Sequence, residues 1–276
     1  MTRSGRLIGA TVAAGFAQLT YRRLTTREAA KRLGLERVNH RGRTVTLAQG
    51  PATVVGSVVG IALTPGLPSR LRGAGMVAAG AAGALGAYDD LAGATSARGL
   101  RGHLSSLARG EVTSGAVKVA GLGIAGLVAG TWSRRGRGGL IDALLAGVVI
   151  SGGANLVNLF DLRPGRAAKV YLTMSGPMLL YGGPAGGLLA GPTGAVVALL
   201  AEDLSERSMM GDTGANALGA ALGTAATAVL PRSGLAVVAG GLVGLTLVSE
   251  IISFSDVIER QPLLKTFDSL GRRAPA

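Results

Sequence analysis

The sequence predicts an all-α fold: one polytopic membrane bundle of about nine transmembrane helices, N-terminus outside and C-terminus cytoplasmic. Three observations carry that expectation. Of the 276 residues, 48% are hydrophobic and only 16% are charged, well under the roughly 25% charged share of a soluble domain. The mean hydropathy is +0.43, and the apolar residues come in long uncharged blocks rather than short stripes. Glycine is abundant at 46 residues while aromatics make up 3%. Small residues let membrane helices approach closely, whereas a lipid-facing barrel needs alternating strands and aromatic girdles.

The blocks define spans at about 5–21, 51–67, 71–88, 112–132, 139–157, 168–182, 184–201, 213–230 and 233–255. The first, "RLIGATVAAGFAQLTY", resembles a signal peptide in composition. It lacks a good cleavage site and runs into a strongly basic segment, so it reads as a membrane helix. The tract 168–201 is too long for one ordinary span, and "YGGPAGG" near its middle supplies a turn between two short ones. No second soluble domain is visible. Residues 1–276 read as one integral membrane domain with a basic cytoplasmic loop at 22–50 and a cytoplasmic tail at 256–276.

Lysine and arginine set the orientation. With 22–50 inside, the outside segments keep only Arg3, Arg6, Arg70, Arg72, Arg134, Arg135, Arg137 and Arg232 of the 28 basic residues. The net charge of +13 then belongs to loops facing anionic lipid. No basic patch interleaved with aromatics points to nucleic acid. There is no cysteine, hence no disulfide framework and no thiolate metal site. His40 and His103 stand alone and read as structural or solvated.

This topology puts three polar clusters on one side of the membrane. Asp89 and Asp90 end the third span in "AYDD". Asn155, Asn158 and Asp161 end the fifth in "NLVNLFD", spaced i, i+3, i+6. Asp212 opens the eighth in "GDTGANALG". Ionisable groups near the hydrocarbon boundary are costly and usually have a partner or a task. Two carboxylates at a helix C-terminus oppose the macrodipole, a conflict that a bound hard cation would remove. Asp212 is a good N-cap, and a helix N-terminus also suits a phosphate. Arg98, Arg101, Arg163, Arg166 and Lys169 lie in the same inner loops and together would neutralise one. Glu202, Asp203 and Glu206 in "AEDLSERS" are expected in a solvated loop.

"AYDDLAG", "NLVNLFD" and "MMGDTGANALG", in this order, resemble the polyprenyl-phosphate hexosamine-1-phosphate transferases, a family that includes translocase I of peptidoglycan synthesis. The resemblance covers roughly residues 40–255. It implies transfer of a sugar-1-phosphate from a UDP-sugar to polyprenyl phosphate with release of UMP, for cell-envelope synthesis at a bacterial inner membrane, in a cytoplasm-facing site. It implies Mg2+, or Mn2+ in its place. Catalytic roles would fall to Asp89, Asp90 and Asp212, with metal ligation by Asp212 and Asp90. Substrate contacts would fall to Asn155, Asn158, Asp161, Arg166 and Lys169. The Gly-rich faces permit a homodimer. Three differences stand out: "DLRPGRAAK" follows where many members run on as Asp-Gly, Met209 replaces a Phe of translocase I, and the late loop "DVIERQPLLKTFDSLGRR" has no His. They give a second expectation, a degenerate member that binds polyprenyl phosphate or a partner protein and regulates envelope assembly. A third reading, transport, needs polar residues through the full span, and the apolar outer halves disfavour it.

Overall fold

The computed structural model describes residues 2–39, 41–92, 99–136 and 138–273. His40, Arg98 and Arg137 lie outside the described residues, as do the side chains of Arg101 and His103. The element order is α1 (Arg3–Leu24), α2 (Arg27–Arg32), β1 (Glu36–Val38), β2 (Thr44–Thr46), α3 (Gln49–Leu63), α4 (Ser69–Ala92), α5 (Gly99–Ala108), α6 (Ser114–Arg134), α7 (Leu140–Leu159), α8 (Arg166–Tyr181), α9 (Gly183–Leu204), α10 (Gly211–Val229), α11 (Arg232–Ser249), α12 (Phe254–Arg260) and α13 (Pro262–Ser269).

A helix occupies each of the nine apolar segments. By length and hydropathy, α6, α7, α9 and α11 can cross a membrane, which makes this an all-α membrane protein in character. The division of the 168–201 tract falls at Gly182 and Gly183, both at positive φ (82° and 61°), a region open to glycine at no steric cost.

Helix α10 is the axis of the bundle. It packs against α3, α4, α6, α7, α8 and α9, and nearly every residue from Gly211 to Thr227 is buried. Its Gly- and Ala-rich sequence makes this feasible, because helix backbones can then nearly touch. A Cβ built on Gly153 of α7 would lie 2.7 Å from the Gly219 carbonyl of α10. Around α10, Leu122 of α6, Ala154 of α7, Ala82 of α4 and Ala220 of α10 belong to one apolar cluster. At the end away from the three polar clusters, the Arg134 guanidinium donates to Asp142 (3.2 Å) and to the carbonyls of Thr227 (3.1 Å) and Leu230 (3.2 Å), and Arg232 pairs with the same carboxylate. These contacts tie together the ends of α6, α7, α10 and α11.

The segment 22–50 is more ordered than a basic loop. Strands β1 and β2 pair antiparallel, Arg37 opposite Val45. The Asn39 side-chain oxygen closes the turn by accepting from the Arg41 and Arg43 amides (2.9 and 3.0 Å). The hairpin docks on the 205–209 segment: the Met209 amide donates to the Thr46 carbonyl (2.9 Å), Asn39 donates to Glu206 (2.9 Å) and Arg41 pairs with it (2.7 Å). This corrects the solvated reading of "AEDLSERS". Asp203 is 2% and Glu206 7% exposed: the hairpin supplies the partners of Glu206, and Gln49 of α3 supplies one for Asp203. Gln49 donates to Asp203 (3.3 Å) and accepts from Ser208 (2.9 Å).

Candidate functional site

The C-terminal ends of α4 and α7 and the N-terminal ends of α6 and α10 meet at one end of the bundle. Asp89, Asp90, Asp161 and Asp212 therefore come together although 123 positions separate the first from the last in sequence.

The paired carboxylates have different neighbours. Asp90 rests on the N-terminus of α10. Its Oδ1 accepts from the Asp212 amide (3.1 Å), and its Oδ2 accepts from the Thr213 amide (3.0 Å) and hydroxyl (2.6 Å). The macrodipole conflict expected at the end of α4 is thus answered by the positive end of another helix. The carbonyl of Asp90, in the last described turn of α4, accepts from Arg37 of β1 (2.5 Å), which adds to the compensation. Gly211 is required here. It sits at φ 63°, and a Cβ on it would lie 2.8 Å from Asp90 Oδ2.

Asp89 and Asp212 share Lys118 of α6. The ammonium is 2.9 Å from Asp89 Oδ2 and also pairs with Asp212 Oδ2. The three side chains are 12%, 21% and 28% exposed for Lys118, Asp89 and Asp212. Lys118 was not among the expected site residues. Its signal was a single lysine within an otherwise uncharged span, which charge counting absorbed into the inner loops.

Asp161 lies in the connection between α7 and α8. Burial and the facing carboxylates of Asp203, Asp212 and Asp90 push its carboxyl well above the ordinary carboxylate range, against an opposing hydrogen bond from the Gly211 amide. The folded state holds this proton in the window between the ordinary range and the raised value, where the unfolded chain has lost it. Stability therefore falls as pH rises through that window. Asp161→Asn flattens this dependence, read as thermal midpoint against pH in the presence of EDTA.

A cavity of about 200 Å3 opens beside Asp161, lined also by Asn39, Val45, Arg163, Pro164, Asp203, Glu206, Ser208 and Met209. The docked hairpin forms one of its walls.

The remaining expected residues divide. Asn158 is half-buried with its Oδ1 enclosed and unpartnered. Asn155 turns to α11, where it donates to Thr246 Oγ1 (3.0 Å). Arg166 and Lys169 bond to the tail. Arg166 holds Asp268 of α13 in a bidentate pair (2.8 and 2.9 Å) and donates to Ser255 (2.7 Å). Lys169 donates to the Phe267 carbonyl (3.3 Å) and to that of Asp268. Burial opposes ionisation of Asp268, but Arg166 and Arg272 together hold its carboxyl below the ordinary range. Neither cation is free for phosphate while the tail is docked.

Among the described residues, no three His, Asp or Glu side chains form a preformed metal site. The donor chemistry nevertheless suits a hard ion that arrives with its phosphate. Mg2+ takes one or two carboxylates and completes its shell with phosphate oxygens and water, and Asp89 and Asp212 already share one cation, the Lys118 ammonium. Asp90 has both oxygens engaged by α10, which gives it a structural task that the sequence did not disclose.

The α4–α10 contact is tight at this point. A Cβ on Gly86 would come within 2.6 Å of the Thr213 amide nitrogen. Gly86→Val is expected to lower stability by about 1–3 kcal/mol through overpacking and to detach Asp90 from its cap, read as the unfolding midpoint.

No protein-family model matches the chain, and no characterised protein matches it in sequence.

Proposed function

We propose that this protein is a Mg2+-dependent membrane transferase that moves a sugar-1-phosphate from a nucleotide sugar, UDP-linked, to a polyprenyl phosphate, for cell-envelope glycan synthesis. In this reading all nine long apolar helices cross a bacterial inner membrane, the N-terminus is outside, and the carboxylate end of the bundle faces the cytoplasm. The observation that carries it is the convergence of Asp89, Asp161, Asp212 and Lys118 around the N-terminus of α10, in a chain whose motifs resemble that family. A lipid phosphate arrives from the bilayer, so its reaction partner must sit at a membrane surface, where helix ends lie.

The transfer forms a bond from an oxygen of the lipid phosphate to the sugar-bound phosphorus. It breaks the pyrophosphate link, and the electron pair leaves with the nucleoside monophosphate. Such chemistry asks chiefly for positioning and charge neutralisation. Asp212, with Asp89 beside it, would hold the Mg2+, which when bound neutralises phosphate charge. Asp89 accepts the proton of the lipid phosphate. Lys118, released from one carboxylate, turns to phosphate oxygens. Asp90 keeps α10 in register, and Asp161 borders the nucleotide side.

The test is the purified protein in lipid with undecaprenyl phosphate, Mg2+ and a panel of nucleotide sugars. A lipid-linked product from one donor is expected. No product from any donor, with a folded preparation, overturns the proposal. The second reading, a non-catalytic regulator that binds polyprenyl phosphate or a partner protein, is favoured by the occupied state of Arg166 and Lys169. It wins if Asp89→Asn and Asp212→Asn both complement a deletion fully.

A further inference from the structure

One helical turn from Leu122, Ala154 and Ala220 of the apolar cluster, toward the carboxylate end, the same helix faces become polar. Positions four apart share a helix face. Below Leu122 on α6 stands Lys118, below Ala220 on α10 stands Asn216, and below Ala154 on α7 stands Asn158. Gly86 of α4 lacks a side chain, which lets Asp212 and Thr213 of α10 approach. Lys118 is satisfied by Asp89 and Asp212. The amides are not. Asn216 is 0% exposed, and among the described residues neither its Nδ2 nor its Oδ1 has a hydrogen-bond partner; the enclosed Oδ1 of Asn158 has none among them either.

A buried amide without partners costs folding free energy, and native interiors rarely tolerate one. Asn158 and Asn216 both lie toward the carboxylate end from the contact of Gly153 on α7 with Gly219 on α10, and Asn216 is one turn along α10 from Asp212, which pairs with Lys118. A group that fills this site accepts from Asn216 Nδ2 and Lys118 and donates to one of the two Oδ1 atoms. A singly protonated phosphate monoester does both, its P–O oxygens accepting and its single P–OH donating.

We propose that Asn216, with Asn158, forms a buried amide socket for the phosphate of the lipid acceptor, and that Asn216 is a substrate-positioning residue. The identity of the ester rests on the transferase reading above; the socket itself stands on the unpaired amides. The socket holds the protonated phosphate beside Asp89, which takes the proton as the oxygen attacks.

The experiment uses the full chain in nanodiscs, with farnesyl phosphate as probe and farnesol as control. Asn216→Leu keeps side-chain volume but removes the amide. Its thermal midpoint is expected at or above wild type, because an unpaired polar group has gone. Its affinity for farnesyl phosphate is expected to fall on the order of 10- to 100-fold, the loss of hydrogen bonds to a charged group, with farnesol binding unchanged. Asn158→Leu, on another helix, repeats the loss. In turnover, KM for the lipid phosphate rises while KM for the donor stays constant. Wild-type affinity for farnesyl phosphate in both variants overturns the socket and leaves the transferase reading intact. A lowered midpoint with unchanged affinity assigns Asn216 a purely structural task and also overturns it. Failure of the wild-type chain to bind farnesyl phosphate overturns it as well, whereas the transferase reading falls on the donor panel.

Discussion

Under the transferase proposal, Asp212→Asn is expected to lower the rate of sugar-phosphate transfer on the order of a hundred- to a thousand-fold, the usual cost of removing one group aimed at a developing transition-state charge. The substitution is isosteric. The Asp212 backbone amide still donates to Asp90, and Thr213 still holds the other oxygen, so α10 keeps its cap. Lys118 keeps Asp89. The folded state should therefore survive, and the thermal midpoint measured beside turnover tells a catalytic loss from a folding loss. Full turnover in this variant would refute the assignment of Asp212.

Lys118→Met has the second large effect, and it reads on stability. The variant keeps the packing of the aliphatic stem but leaves Asp89 and Asp212 facing each other without their shared cation. Stripping one partner from a buried ion pair costs about 3–5 kcal/mol. The two carboxylates are a fifth to a quarter exposed, so about 2 kcal/mol is the better expectation. Because the freed carboxylates now want a cation, millimolar Mg2+ should raise the midpoint of Lys118→Met more than that of the wild type. An equal response in both proteins would mean that Asp89 and Asp212 do not hold the ion. The two substitutions share a contact, so their double mutant should be less destabilised than the sum of the singles.

Much of this architecture is legible in the chain. Long uncharged blocks must satisfy their backbone groups internally, and only helices do so within one segment. That is why a helix lies over each of the nine apolar segments, and why the glycine pair at Gly182 and Gly183 splits the 168–201 tract where a turn was expected. The gathering of Asp89, Asp161 and Asp212 at one end also follows from the chain, since long helices joined in sequence alternate in direction through the bundle.

Partners were not legible. Asp90 looks like the twin of Asp89 in sequence, yet one caps α10 and the other pairs with Lys118, because adjacent residues on a helix point about 100° apart. Asn155 and Asn158 part company in the same way, the first toward α11 and the second toward the site. Asp203, Glu206, Arg166 and Asp268 are buried, partnered through Gln49, the hairpin at 36–46 and the docked tail at 254–273; composition alone assigns such charged residues to water. Hydropathy and periodicity depend on each residue and its near neighbours, and they determined where the long helices lie along the chain. Which carboxylate meets which cation depends on the azimuth of each helix about α10, and that was decided only when the small residues of α4, α7 and α10 let their backbones close together.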